Sequence, residues 1–119
     1  MPETEKPKRY DLEERTFQFA KNVRLFIKTI PRTIANIEDG KQLVRSSGSV
    51  GANYIEANES LSPKDFKMRI KICRKEAKES IYWLKLIDAS ETQKENKARL
   101  INEATELMKI FSAIMRKGE

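Results

Sequence analysis

The sequence predicts an all-α protein, an antiparallel up-down-up-down four-helix bundle. Three observations carry that prediction. Apolar residues recur at three- and four-residue spacing through successive stretches. Residues that start or stop helices bracket those stretches. No segment shows the sustained two-residue alternation of a half-buried strand. At 119 residues the chain is one domain with a single core. With 39% hydrophobic and 35% charged residues, each helix can give one face to that core and leave the rest to water.

Residues 1 to 9, with Pro2, Pro7 and a run of charges, predict a disordered basic tail ahead of a bundle domain at 10 to 119. Asp11 followed by Glu14 can cap a first helix. Its apolar positions, Leu12, Thr16, Phe19, Ala20, Val23, Phe26, Ile27 and Ile30, fall within about 120° of arc. The helix should end near Pro31, whose ring cannot continue it. Ser62, Pro63 and Asp65 place a cap, a first-turn proline and a carboxylate at the start of a third helix. That helix should run to about Ala89, burying Phe66, Ile70, Cys73, Ala77, Ile81 and Leu84. Thr92 with Glu95 forms a second capping box for a last helix, which carries Leu100, Ala104, Leu107, Met108, Phe111 and Ile114 on one face and stops at Gly118.

The second helix must be argued, because residues 44 to 60 read VRSSGSVGANYIEANES and could be a glycine-rich loop. A phosphate-cradling loop needs a preceding strand and a Lys-Ser or Lys-Thr helix start, and neither is present. If residues 31 to 60 are helical, Gly40, Gly48 and Gly51 share one sector with Ile37, Val44 and Ile55. Leu43, Ser47, Val50, Tyr54, Ala57 and Leu61 fall beside that sector. Three glycines cost roughly 3 kcal/mol in an exposed helix, so close approach of a neighbouring helix must offset them. Antiparallel pairing of the second and third helices brings Arg45 level with Glu79 and Gly48 level with Glu76. An Arg45 to Glu79 polar tie beside the core is expected, setting register more than stability.

Composition narrows the chemistry. The chain has no His, which removes the commonest general base near neutral pH and a common metal ligand. Cys73 is the single cysteine, with no partner for an intrachain disulfide, and its place on the core face reads as a small buried apolar residue. No stretch has the length of a membrane span and the first residues lack a signal peptide's apolar core, so a cytoplasmic, non-enzymatic protein with no cofactor and no membrane partner is expected. A net charge of +6 favours acidic partners.

The series Arg45-Ser46-Ser47-x-Ser49-Val50-x-x-Asn53-Tyr54-Ile55-Glu56-Ala57, then Ser62-Pro63-Lys64-Asp65-Phe66, then Lys75-Glu76-Ala77-x-Glu79-Ser80-x-Tyr82-Trp83-Leu84, resembles the bacterial 23S rRNA intervening-sequence proteins. The likeness extends over about residues 10 to 112. It implies an antiparallel four-helix bundle, often assembled as a homopentameric ring, whose members are not established enzymes. The family name records the place of some genes within ribosomal RNA insertions and implies no ribosomal role. A related branch, the accessory proteins of diversity-generating retroelements, associates with a reverse transcriptase and nucleic acid. Ala57 stands where many relatives carry Gly, a change that leaves the close-packing argument intact.

Three features could carry function. On the third helix Lys64, Lys67, Lys71, Arg74, Lys75, Lys78 and Lys85 fall in one sector, with Asp65, Glu76 and Glu79 elsewhere, and Lys21, Arg24 and Lys28 make a shorter stripe on the first. Segregated cations suit a phosphate backbone, so RNA or DNA is the expected partner, directly or through a nucleic-acid enzyme such as a reverse transcriptase. Plain solvation of a lysine face is the alternative. Met68, Ile72, Trp83 and Leu86 form a second apolar stripe away from the core face, with Phe17 and Leu25 similarly placed on the first helix, and such surplus marks contacts between copies. Five copies at +6 each would carry +30. A protein that only joins other proteins is the second reading. Finally, Glu56, Glu59, Glu76 and Glu79 faintly resemble the magnesium site of all-α nucleotide pyrophosphohydrolases, although Ile55 replaces an expected acid and Glu56 faces Met68 instead of Glu76.

Overall fold

The computed structural model describes residues 8–117. Helix α1 spans Lys8–Ile27, α2 Ile34–Asn58, α3 Pro63–Leu86 and α4 Lys94–Lys117, with a 3₁₀ turn at Glu91–Gln93 before the last. Among the described residues no strand is present. Sequential helices are neighbours, α2–α3 and α3–α4 pack most extensively, and α1 closes more lightly on α4, as an up-down bundle requires. The core draws Phe19, Val23 and Phe26 from α1, Leu43, Val50 and Tyr54 from α2, Ile70, Cys73, Ala77 and Leu84 from α3, and Leu100, Ala104, Leu107 and Phe111 from α4.

Local chemistry sets most boundaries. Ser62 caps α3 by accepting a 3.1 Å bond from the Asp65 amide, with Pro63 in the first turn. Thr33 caps α2 in the same way, accepting from the Asn36 amide at 3.1 Å. Two expected caps are corrected. Asp11 lies inside α1, which is already helical at Lys8, so the expected tail overlaps the helix at residues 8 and 9 and its remainder lies outside the described residues. Thr92 sits in the 3₁₀ turn, its hydroxyl 3.3 Å from that of Ser90, and α4 begins only at Lys94. The third helix stops at Leu86, short of Ala89. The expected stop at Gly118 falls outside the described residues.

The stretch from Val44 to Asn58 is helix throughout. Its glycines line the seam with α1, not with α3. A methyl at Gly51 would stand 2.9 Å from the Thr16 hydroxyl and 3.2 Å from Thr16 Cβ, and one at Gly48 would stand 3.3 Å from the Arg24 guanidinium. Gly51 therefore lets α1 approach α2 closely, with the buried Thr16 in the space a side chain would take. Leu61, expected on the buried arc, lies beyond the end of α2 and is fully exposed.

The α2–α3 seam is polar in a way different from the expected one. Arg45 and Glu79 are both exposed and make no ion pair with each other. One residue further along each helix, Ser46 and Ser80 share a buried 2.8 Å hydrogen bond. A single residue turns a helix by about 100°, which swings the long charged side chains to water and brings two small hydroxyls into the seam. Register is held again by Arg69, which donates to Asn53 at 2.9 Å. At the far end Asn36, 1% exposed, donates to the carbonyls of Pro31 and Asp88 at 2.9 Å each and accepts from the Asp88 amide at 3.0 Å. That one side chain ties the α1–α2 turn to the segment leaving α3. Opposite, Arg15 of α1 makes a two-pronged bond to Glu103 of α4 at 2.7 and 2.9 Å.

Candidate functional site

Helix α3 gives its inner face to the core through Ile70, Cys73, Ala77, Ser80 and Leu84, which leaves the opposite face to solvent. Lys64, Lys67, Lys71, Lys75, Lys78 and Lys85 are exposed on α3, and Arg74 is half-buried where the helix turns toward α4. Lys71, Arg74 and Lys78 form no ion pair among the described residues; Lys75 reaches Glu76 at 3.7 Å. Between α3 and α4 lies an open groove of about 670 Å³, lined by Lys71, Arg74, Lys75 and Lys78 with Met68, Ile72, Met108 and Ser112. Four cations thus surround a partly apolar floor. On α4, Glu103 is turned away to Arg15. No acidic side chain lines the groove.

Tyr82 was not singled out by its sequence position, yet it stands on this surface. Tyr82 is 58% exposed, and its ring lies 5.0 Å from that of Trp83 with an interplanar angle of 73°. It follows Lys78 by four residues and precedes Lys85 by three, the spacings that stack side chains on one helix face. Those spacings are visible in the sequence; the exposure is not.

The expected contact stripe is divided. Met68 and Leu86 are 54% and 47% exposed, while Ile72 and Trp83 are half-buried and Trp83 also packs against the core. Phe17 and Leu25 on α1 are 55% and 56% exposed. A substantial apolar area therefore faces outward on both helices.

The four carboxylates do not assemble. Among the described residues no group of three or more acidic or thiol side chains is arranged to hold a metal ion. Glu56, Glu59 and Glu79 are exposed, and Glu76 is the enclosed member, its side chain 17% exposed. Burial, reinforced by the neighbouring Glu79 charge, pushes the Glu76 carboxyl above its usual range against the pull of Lys75. The Gly48 position faces Arg24 of α1. Cys73 is fully buried, and burial raises its thiol to about 12, so it is protonated and packed as an apolar side chain. Among the described residues no helix is long and apolar enough to cross a membrane.

A larger cavity of about 850 Å³ lies at the end of the bundle where α4 finishes, lined by Leu12, Tyr54, Ala57, Phe66 and Ile114 with Arg15 and Lys117 among its polar groups. Nothing in the sequence periodicity signalled it, because its lining is gathered from all four helices.

Together the helix order, the glycine seam and the cationic α3 face define a basic all-α four-helix bundle. The sequence matches the family described as 23S rRNA-intervening sequence protein over residues 8–113, and the chain belongs to that family. Its fold is similar to the crystal structure of a protein of unknown function from the S23 ribosomal protein family of Bacteroides thetaiotaomicron. That likeness has a TM-score of 0.77 and 30% identity, over 92% of this chain and 99% of the other. No curated protein matches the sequence.

Proposed function

We propose that this chain is a non-catalytic, self-associating bundle that uses the α3 face to bind nucleic acid. The observation that carries the reading is the run of Lys71, Arg74, Lys75 and Lys78 around one groove with no carboxylate lining it. A phosphate backbone that settles there exchanges its condensed counterions for fixed cations, a gain available to RNA and DNA alike. Plain solvation does not require segregation of sign. Assembly would multiply the effect, and the exposed Met68 and Leu86 on the same helix supply apolar area for it. Five copies, the number suggested by family resemblance, would present +30.

Labelled RNA and DNA titrated at several salt concentrations test this. Binding at about 50 mM salt that weakens steeply with added salt, and that disappears on reversing Lys71, Arg74 and Lys78 to Glu, is expected. Unchanged affinity in the reversed variant contradicts it. The exposed Phe17 and Leu25 favour a second reading, a module that joins proteins only. A partner that stays bound after nuclease treatment, with no direct nucleic-acid binding, would favour that one. A reverse transcriptase retained in this way would place the basic surface against an enzyme instead of a free strand.

A further inference from the structure

We propose that Tyr82 is a stacking platform for an unpaired base, so that the strand held on the α3 face is single-stranded. The inference rests on the nucleic-acid reading above and narrows its ligand. Its starting point is an aromatic residue 58% exposed near the end of α3, between Lys78 and Lys85 on the basic face and with Glu79 one turn away. Among the described residues the Tyr82 hydroxyl makes no hydrogen bond, so no internal polar contact accounts for its outward position. Trp83 braces the ring edge-on at 5.0 Å, and Trp83 is itself packed against the core. A ring in contact with an anchored neighbour is restrained, and at 58% exposure the residue still offers surface for contact, so little side-chain freedom would be lost on binding.

The surroundings match one strand better than two. Lys75, Lys78, Tyr82 and Lys85 follow each other by three and four residues, about 4.5 to 6 Å apart along the helix. Cations at that spacing can meet successive phosphates of a single strand or of a duplex backbone, so it is the exposed ring that distinguishes the two. In a duplex each base face is covered by its neighbour, so Tyr82 would meet only backbone. In an unpaired strand the phosphates can lie along Lys71, Lys75 and Lys78 while one base turns onto the phenol. Stacking of that kind is tolerant of base identity, since each base offers a π face.

The test compares labelled single strands of RNA and DNA with hairpin duplexes of the same length and composition. Each is titrated against wild type, Tyr82→Ala, Tyr82→Phe and the Lys71→Glu/Arg74→Glu/Lys78→Glu variant. Wild type is expected to prefer the single strands. Tyr82→Ala should lose roughly 5- to 100-fold on them, with little change on duplexes or in salt slope, and Tyr82→Phe should keep the preference. Binding lost in the triple variant yet unaffected by Tyr82→Ala would overturn the stacking proposal and leave the basic-face reading standing. No binding of any nucleic acid would overturn both. Tyr82 is exposed, so its variants should fold; helical circular dichroism and thermal melting would verify that.

Discussion

Gly51 and Gly48 are three residues apart on one helix face and should respond oppositely to the same substitution. At Gly51 a methyl would press on the branched, buried Thr16, so Gly51→Ala should destabilise by about 1–3 kcal/mol. At Gly48 the nearest atom is the far end of Arg24, which can move aside, so the better helix propensity of alanine should leave Gly48→Ala neutral or more stable by up to about 1 kcal/mol. Denaturant melts of the two variants decide the matter; equal effects would contradict the assignment of the tight contact to Gly51. Glu76 gives a test in pH. Its carboxyl is raised by burial and by Glu79, so the native state holds that proton more tightly than the unfolded chain. The cost of ionising it is therefore absent at acidic pH, develops as pH rises from the ordinary carboxyl value through the raised one, and is complete above the raised one. Glu76→Gln should gain less than about 1 kcal/mol on wild type at pH 7 and lose that advantage on acidification below the ordinary carboxyl range. An advantage constant with pH would exclude Glu76 as its source. The sequence placed Glu76 level with Gly48 and among four carboxylates, but not its burial at 17% exposure, which depends on how the helices pack.

At the scale of the helices, periodicity conveyed the inward faces well because one stripe per helix meets one core. Phe19, Val23, Phe26, Ile70, Ala77, Leu107 and Phe111 all lie where the 3.6-residue repeat puts them. What periodicity could not convey was which neighbour the small residues approach. A glycine sector is equally readable toward α1 or α3, and only packing assigns it to α1. Helix ends were legible where a cap and proline coincide, at Ser62 and Pro63. They were missed at Thr92, where a 3₁₀ turn intervenes. Polar ties were missed for a related reason: a one-residue step exchanges Arg45 and Glu79 for Ser46 and Ser80. Asn36 was unforeseen because its partners are main-chain groups 5 and 52 residues away. Asn36→Ala should cost about 1–3 kcal/mol, since it strands two carbonyls and an amide at the bundle end. Thermal melting measures it; a cost below about 0.5 kcal/mol would show that water replaces the side chain.

For the whole molecule, α3 carries both surplus apolar area and segregated charge, and each makes a prediction. Leu86→Glu and Met68→Glu place charges on exposed positions and should lower the molar mass seen by light scattering without loss of helicity, whereas Trp83→Ala should also lower stability because that ring packs on the core. A monomeric wild type would remove self-association from the account. Charge segregation was legible in the sequence to the level of which residues share a face. The groove with α4 was not, since it depends on the register of two helices distant in sequence. The most direct test of the central claim is the salt dependence of single-strand binding, compared between wild type and the Lys71→Glu/Arg74→Glu/Lys78→Glu variant. Affinity at about 50 mM salt that falls steeply and linearly on logarithmic axes, and is abolished in the variant, is the predicted result. Absence of binding at that salt, or equal affinity for both proteins, would contradict it.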